Sequence, residues 1–187
     1  MRRLFKVLLS IFAVIIIIVV AFSAIFVLDV VAYTATSSTT LASEGASMGN
    51  ALVVYNPGLS GTTTRVAEKI AVDLQANGYT VTLAGIKSSA ATNTAGYSVI
   101  VVGSPIYAGG PTSSVKDFLN GLEGSGFSLG VFGSGQGAST PDDVTMVRDA
   151  VPVLQGGGTF SDAVVVKIGE TENLDDRASE FVNELVG

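Results

Sequence analysis

Three short segments rich in Gly, Ser and Thr each follow an apolar run. The first, 56–64 (NPGLSGTTT), opens directly into a helical pattern that begins near Thr63. A helix N-terminus carries unpaired N–H groups and the positive end of the helix dipole, so this turn could bind a phosphate. The alternative is that Ser60 or Thr62 simply caps the helix. A Walker-type Gly-Lys-Ser/Thr motif is missing, and the Gly spacing is not that of a dinucleotide fingerprint. The run of four hydroxyl residues around Gly61 favours the phosphate-binding interpretation.

The other two segments could contact a planar ring. Segment 103–111 (GSPIYAGGP) contains two Pro and three Gly, which predict an exposed turn that presents Tyr107. This tyrosine could lie against a ligand ring, or it could pack its own loop. Segment 133–139 (GSGQGAS) has three Gly, so its backbone could approach a ligand closely. Gln136 could reach the polar edge of a heterocycle.

Five apolar runs, separated by helical patterns, must position these segments. Near-continuous apolar runs indicate strands that are covered on both faces. Strands alternating with helices predict an α/β three-layer sandwich, in which ligands bind beyond the carboxyl ends of the strands. We therefore expect the three segments to meet at one edge of the sheet. The predicted strands are 51–55, 80–83, 98–102, 128–132 and 163–168, and the predicted helices are 63–77, 113–122, 141–154 and 174–186.

Several acidic residues have a structural explanation. Thr140 stands three residues before Asp143, and Asn173 stands three residues before Asp176. Both spacings resemble helix-capping arrangements. We interpret these carboxylates as parts of helix starts and not as catalytic groups.

The N-terminal region has the composition of a membrane anchor. Residues 7–28 contain no charged residue. As a helix this run would be roughly 33 Å long, enough to cross a hydrocarbon core of about 30 Å. The apolar region of a signal peptide is shorter, so we predict a retained anchor over residues 1–32, with a cleaved signal as the alternative.

The charges around this run predict its orientation. Arg2, Arg3 and Lys6 precede it, and the next basic residue is Arg65. The positive-inside rule then predicts a single-pass membrane protein with a cytoplasmic N-terminus and an extracytoplasmic domain. Residues 33–49 are rich in Ser, Thr and Ala, which predicts a flexible linker that holds the domain on the order of 20–25 Å from the membrane.

Composition excludes several classes of function for the domain at 50–187. It has seven basic and fourteen acidic residues, a poor match for nucleic acid or anionic lipid. The chain contains no Cys and no His. This excludes thiol chemistry, Cys-ligated clusters, the usual zinc sites and a Ser-His-Asp triad, and we expect no metal site. Any redox chemistry must therefore come from a bound organic cofactor.

Residues 50–187 resemble the flavodoxin family. The supporting stretches are VVY followed by SGTTTRVAEKIA, then VIVVGSPIYAGGPTSSVKDFL and LGVFGSGQG. The resemblance predicts a flavodoxin-like sandwich with a five-stranded parallel sheet of order 2-1-3-4-5 behind one transmembrane helix. It implies FMN as cofactor, with the phosphate held by Ser60, Gly61, Thr62 and Thr63. The residues expected to face the flavin ring are Ser104, Pro105, Ile106, Tyr107, Ala108 and Gly109, together with Ser134, Gly135, Gln136 and Gly137.

The sequence departs from the family pattern in three places. The first segment is about two residues longer than usual, and Thr62 stands where the family commonly has Asn. The third segment has no aromatic residue and the chain has no Trp, so the ring cannot be sandwiched between two aromatics. A receiver domain of a response regulator is rejected, because the first strand ends in Tyr55-Asn56 and not in an acidic cluster.

Two functions remain. The first is a membrane-tethered FMN protein that takes part in electron or hydride transfer, as an FMN-dependent oxidoreductase or an electron carrier with an unidentified redox partner. The alternative is a flavodoxin-like domain without flavin, which acts as a tethered binding or interaction module.

Overall fold

The computed structural model describes residues 2–31 and 35–187, so residues 1 and 32 of the predicted anchor and 33–34 of the predicted linker lie outside the described residues. The helices are α1 (Arg2–Val31), α2 (Thr62–Ala76), α3 (Ser113–Asn120), α4 (Pro141–Asp149) and α5 (Leu174–Val186). The strands are β1 (Ser38–Leu41), β2 (Gly49–Tyr55), β3 (Tyr79–Gly85), β4 (Val99–Tyr107), β5 (Gly110–Pro111), β6 (Ser128–Gly135) and β7 (Val164–Gly169). Two 3₁₀ turns lie at Ser89–Thr92 and Pro152–Leu154.

The central sheet confirms the predicted topology. Strands β3, β2, β4, β6 and β7 are neighbours in that order and all run parallel, which is the order 2-1-3-4-5 for the five predicted strands. The structure adds two strands that the sequence reading did not contain. β1 pairs antiparallel with β3 at the sheet edge, and the two-residue β5 pairs antiparallel with β4.

Strand β1 lies inside the segment expected to be a flexible linker. Its pairing is extended by two further hydrogen bonds, from Gly85 N to Ser37 O and from Lys87 N to Ala35 O, each 2.9 Å long. Gln75 Nε2 also donates to Ala42 O at 2.8 Å, which ties the next residues to the end of α2. These contacts show that much of the described linker lies on the domain. A polar strand can pair with the outermost strand of a sheet without burying an apolar face, so its sequence still resembles a linker.

Two apolar cores lie on the two faces of the sheet, which gives the expected three layers. Alternate side chains of β2 point to opposite faces: Val53 packs in the core under α2 and α5, and Leu52 packs in the core under α3 and α4. Both residues are fully buried. Val66, Ile70 and Leu74 are also fully buried, as their helical spacing predicted. Burial of each such side chain contributes about 1.5–3 kcal/mol, so the two cores hold the strand ends in fixed positions.

Helix α1 has a different character from the other helices. Its segment Lys6–Leu28 is long and apolar enough to cross a membrane. Large apolar side chains are exposed along it, from Val7 at 55% to Leu28 at 60%. A helix that is apolar on every face and exposed to solvent matches a membrane span better than a core helix.

Candidate functional site

The three predicted segments meet at the carboxyl edge of the parallel strands and line a cleft of about 290 Å³. This volume is at the lower end of the range for small-molecule sites. The cleft is lined by Leu59, Ser60, Pro105, Ile106, Tyr107, Ser134, Gly135, Gln136 and Glu170. Seven of these are predicted site residues. The other seven predicted site residues do not line the cleft: Gly61, Thr62, Thr63, Ser104, Ala108, Gly109 and Gly137.

Two larger clefts of about 420 Å³ each lie at the opposite ends of the parallel strands, around Gly96 and Tyr97. They are open and polar, and they lie at the amino ends of the strands. Ligands of open α/β sheets bind beyond the carboxyl ends, where strand order reverses. We therefore take the smaller cleft as the functional site.

The N-terminus of α2 lies next to the cleft, because it follows the lining residue Ser60 by two positions. Its N-cap is Gly61, which has a left-handed backbone (φ 73°) and no side chain with which to cap the helix. Among the described residues, nothing lies within 4 Å of the position where a Cβ would stand at Gly61. Thr62 N donates to Ser60 Oγ at 3.3 Å, so the capping interpretation holds for one N–H group. The rest of the first turn is still suited to an anion.

A carboxylate lies at this helix N-terminus. Thr62 Oγ1 donates to Glu170 Oε1 at 2.8 Å, and Ser60 Oγ and Arg65 Nη2 lie 3.1 and 3.3 Å from the same threonine oxygen. Glu170 follows the last residue of β7, and its backbone N–H donates to Gly135 O at 3.0 Å. The sequence analysis missed Glu170. The available signal was its position directly after a predicted strand, at the edge where ligands bind.

Two of the predicted hydroxyls pair with each other beneath the loops. Thr63 is fully buried and Ser134 is 2% exposed, and their hydroxyl oxygens are 2.6 Å apart. This hydrogen bond joins the first segment to the third. The side chain of Thr63 therefore positions the loop, and its hydroxyl already has a partner.

The second segment is a hairpin and not an open loop. Strand β4 continues to Tyr107, and the turn Ala108-Gly109 leads into β5. Both turn residues have positive φ, 46° and 88°, as a two-residue type I′ turn requires. The strand is longer than predicted because Ser104 and Pro105 are buried and stay paired with β6, and Ile106 is partly buried.

Tyr107 is held by contacts on two sides. Its hydroxyl accepts a hydrogen bond from Leu59 N at 2.9 Å. Its ring lies 5.1 Å from the ring of Phe26 in α1, measured between centroids, at 59°. Tyr107 thus lines the cleft and also packs its neighbours, as the second interpretation expected, and its contact with a ligand ring stays a prediction.

Asn56 organises the first segment from below, and the sequence analysis did not select it. It is fully buried, and its Nδ2 donates to Thr112 Oγ1 at 3.1 Å and to Ser114 Oγ at 3.2 Å. Its Oδ1 accepts from Gly58 N at 3.0 Å. These bonds hold the first segment, 56–64, against Thr112 and Ser114, which follow the hairpin.

The third segment is braced by the loop after β7. A Cβ at Gly169 would stand 1.7 Å from Gly137 O, so this backbone approach requires glycine. Glu172 Oε2 lies 2.6 Å from Gly169 N and 2.5 Å from Ser139 Oγ. Burial alone would raise the pKa of Glu172, but these hydrogen bonds and the charge of Arg177 outweigh it and hold the pKa below its usual value.

The predicted helix starts are confirmed. Thr140 and Asp143 form a reciprocal capping box at the start of α4, and Asn173 caps α5 by accepting from Asp175 N. The Thr140 hydroxyl lowers the pKa of Asp143, and Lys167 Nζ lies 3.1 Å from its carboxylate. These acidic groups stabilise the loops next to the cleft and do not line it.

No known family profile and no curated protein sequence matches the chain. Among solved structures, a Streptococcus pneumoniae TIGR4 flavodoxin is 22% identical with a TM-score of 0.54, covering 73% of this chain and 96% of that chain. Flavodoxin 2 from Bacillus cereus is also 22% identical with a TM-score of 0.52, covering 73% and 97%. Rubredoxin oxygen:oxidoreductase from Desulfovibrio gigas is 17% identical with a TM-score of 0.51, and the match covers 75% of this chain and 36% of that protein. The part of the chain that follows α1 is therefore a flavodoxin-like domain.

Proposed function

We propose that the domain binds FMN in the cleft at the carboxyl edge of the sheet and takes part in electron or hydride transfer, tethered to a membrane by α1. The observation that carries this proposal is the placement of the α2 N-terminus. The helix begins after the left-handed Gly61, which directly follows Ser60, and Ser60 and Tyr107 line the same cleft. An anion site next to an aromatic ring suits a ligand with a phosphate and a planar heterocycle.

The residues present fit this ligand. First-turn N–H groups of α2 and the hydroxyls of Ser60 and Thr62 would hold the phosphate, and these donors need no cation. Tyr107 and the backbone at Gly135 and Gln136 would flank the ring. Bound FMN supplies the redox chemistry, and the protein supplies orientation and electrostatics. Glu170 is exposed, so its carboxylate can exchange the Thr62 hydroxyl for water when the phosphate enters.

The Glu170 carboxylate also favours a second function, a binding module without flavin. Glu170 accepts the Thr62 hydroxyl that a phosphate would need, and the cleft has one aromatic side chain instead of two. A domain that kept the fold but binds no flavin, and acts as a tethered binding module, would tolerate both features.

Titration with FMN separates the two functions. The full chain in detergent micelles is titrated with FMN and with riboflavin, which lacks the phosphate, and flavin fluorescence and the visible spectrum are recorded. FMN should bind at least about tenfold more tightly, since each charge-assisted hydrogen bond contributes roughly 1.5–3 kcal/mol. Ser60→Ala should weaken FMN and leave riboflavin unchanged, with Ser125→Ala as an exposed control far from the cleft. Equal binding of both flavins, or no binding at millimolar concentration, would favour the module without flavin.

The orientation of the tether is also proposed. Arg2, Arg3 and Lys6 before the apolar span support a cytoplasmic N-terminus and a domain outside. Protease added to intact cells should then remove the domain. Digestion only after lysis would show the opposite orientation.

A further inference from the structure

The direction of β1 decides where the chain enters the domain. Because β1 runs antiparallel to β3, its first residue, Ser38, pairs with Ala84 near the end of β3, and its last residue, Leu41, pairs with Val81. The chain therefore arrives from α1 at the carboxyl edge of the parallel strands. This is the edge that holds the cleft.

The connection between α1 and this edge is short. Helix α1 ends at Val31, and Ala35 O already accepts a hydrogen bond from Lys87 N in the domain. Four residue steps span at most about 14 Å. The carboxyl edge of the sheet cannot move farther than this from the end of α1.

A side-chain contact brings the same edge to the membrane span itself. Phe26 lies within the apolar segment Lys6–Leu28, and its ring packs against Tyr107 in the cleft. Leu59, whose N–H donates to the Tyr107 hydroxyl, is 53% exposed. Tyrosine prefers the interface between lipid and water, where its ring is apolar and its hydroxyl is wet.

We propose that the carboxyl edge of the domain rests on the surface of the bilayer that α1 crosses, so that the cleft opens at the membrane surface. The proposal rests on the membrane tether of the proposed function, and it does not depend on FMN. The short connection and the apolar contact of Tyr107 impose this position. Attraction of the acidic domain to anionic lipid does not contribute.

The absence of cysteine in the sequence allows a direct test. Leu59→Cys places an environment-sensitive fluorophore at the carboxyl edge, and Ser125→Cys places one in the loop before β6, at the opposite edge. The eight residues of β6 separate the two edges by roughly 23 Å. The full chain is reconstituted in phosphatidylcholine vesicles that contain a lipid with a nitroxide on its headgroup. We expect quenching at position 59 to exceed quenching at position 125 by about threefold or more. Equal quenching, or stronger quenching at 125, would overturn the proposal.

A longer connection between α1 and Ala35 tests whether the short connection holds the carboxyl edge at the membrane. Insertion of 20 Gly and Ser residues before Ala35 should reduce quenching at position 59 to the level at 125, because the edge is then no longer held within reach of the lipid. Unchanged quenching at 59 would overturn the role given to the short connection. A chain that does not float with the vesicles would refute the membrane tether itself. FMN binding, measured on the same samples, reports separately on the cofactor.

Discussion

Removal of the Glu170 charge should strengthen FMN binding. The Glu170 carboxylate accepts a hydrogen bond from Thr62 Oγ1 at 2.8 Å, at the helix N-terminus that we assign to the phosphate. The Thr62 hydroxyl has a single hydrogen to donate, so a phosphate that accepts it must replace the Glu170 carboxylate as the acceptor. A carboxylate that stays on the other side of this hydroxyl would lie about 5 Å from the phosphate, roughly the span of two ordinary hydrogen-bond lengths. Glu170→Gln keeps the size and an acceptor oxygen but removes the negative charge.

The size of the effect follows from the exposure of Glu170. Because this side chain is exposed, the dielectric constant of water applies, and two unit charges 5 Å apart repel by about 0.8 kcal/mol. A phosphate monoester carries a charge of about −1.5 to −2 at neutral pH. The total repulsion is then about 1.2–1.7 kcal/mol, which corresponds to roughly a tenfold change in the dissociation constant.

The assay is a fluorescence titration of both proteins with FMN and riboflavin at low and high salt. Glu170→Gln should tighten FMN about tenfold at low salt and much less near 1 M salt, where the Debye length is only about 3 Å. Riboflavin should show no change. Glu184→Gln, an exposed site on α5, is the matched control for loss of one negative charge. Weaker FMN binding, or an equal gain for riboflavin, would show that Glu170 does not oppose a phosphate.

Three further predictions concern the parts that support the cleft. Because hydrogen bonds hold the pKa of Glu172 below its usual 4.5, its charged form stabilises the fold at neutral pH, and that stability is lost as the pH falls through the lowered pKa. Glu172→Gln should lower the free energy of unfolding by about 1–2 kcal/mol at pH 7, as measured by denaturant unfolding, and this loss should shrink steadily as the pH falls below 4.5; a loss that does not change with pH would contradict this. Gly169→Ala should lower the midpoint of thermal unfolding and weaken ligand binding, because its Cβ would stand 1.7 Å from Gly137 O; unchanged stability would show that the two loops can separate at little cost. A fragment 50–187 should fold but unfold at lower denaturant than 35–187, since it lacks β1, and coincident unfolding curves would refute a stabilising role for that strand.

The parallel sheet could be predicted from sequence because its strands are buried on both faces. Val53 and its neighbours in β2 form an unbroken apolar run, which few other structures require. Strand β1 gave no such signal. Thr39 and Thr40 are exposed at the sheet edge, and their hydropathy is that of a linker. What makes them a strand is the unpaired backbone of β3, which the local sequence does not reveal.

The meeting of the three segments at one cleft could be predicted, but the hydrogen bonds around the cleft could not. The pattern of strand, turn and helix around Gly61 is local, so the helix N-terminus next to the cleft was predictable from adjacent residues. Glu170 lies 108 residues from Thr62, and Asn56 lies 56 residues from Thr112. Such contacts depend on how distant segments pack. The composition of segment 56–64 therefore did not indicate that Glu170 would accept a hydrogen bond from Thr62.

Strand β1 also covers the outer backbone edge of β3, which would otherwise be unpaired. Without it, β3 would present an open row of backbone donors and acceptors that could pair with a strand of another chain. Chains anchored in one bilayer share a common orientation, so their sheet edges lie at the same height and meet often. The outermost strand is only four residues long, with Ser38, Thr39 and Thr40 exposed. A short, polar outer strand of this kind disfavours extension of the sheet from one molecule to the next, which would matter most for chains tethered side by side as we propose.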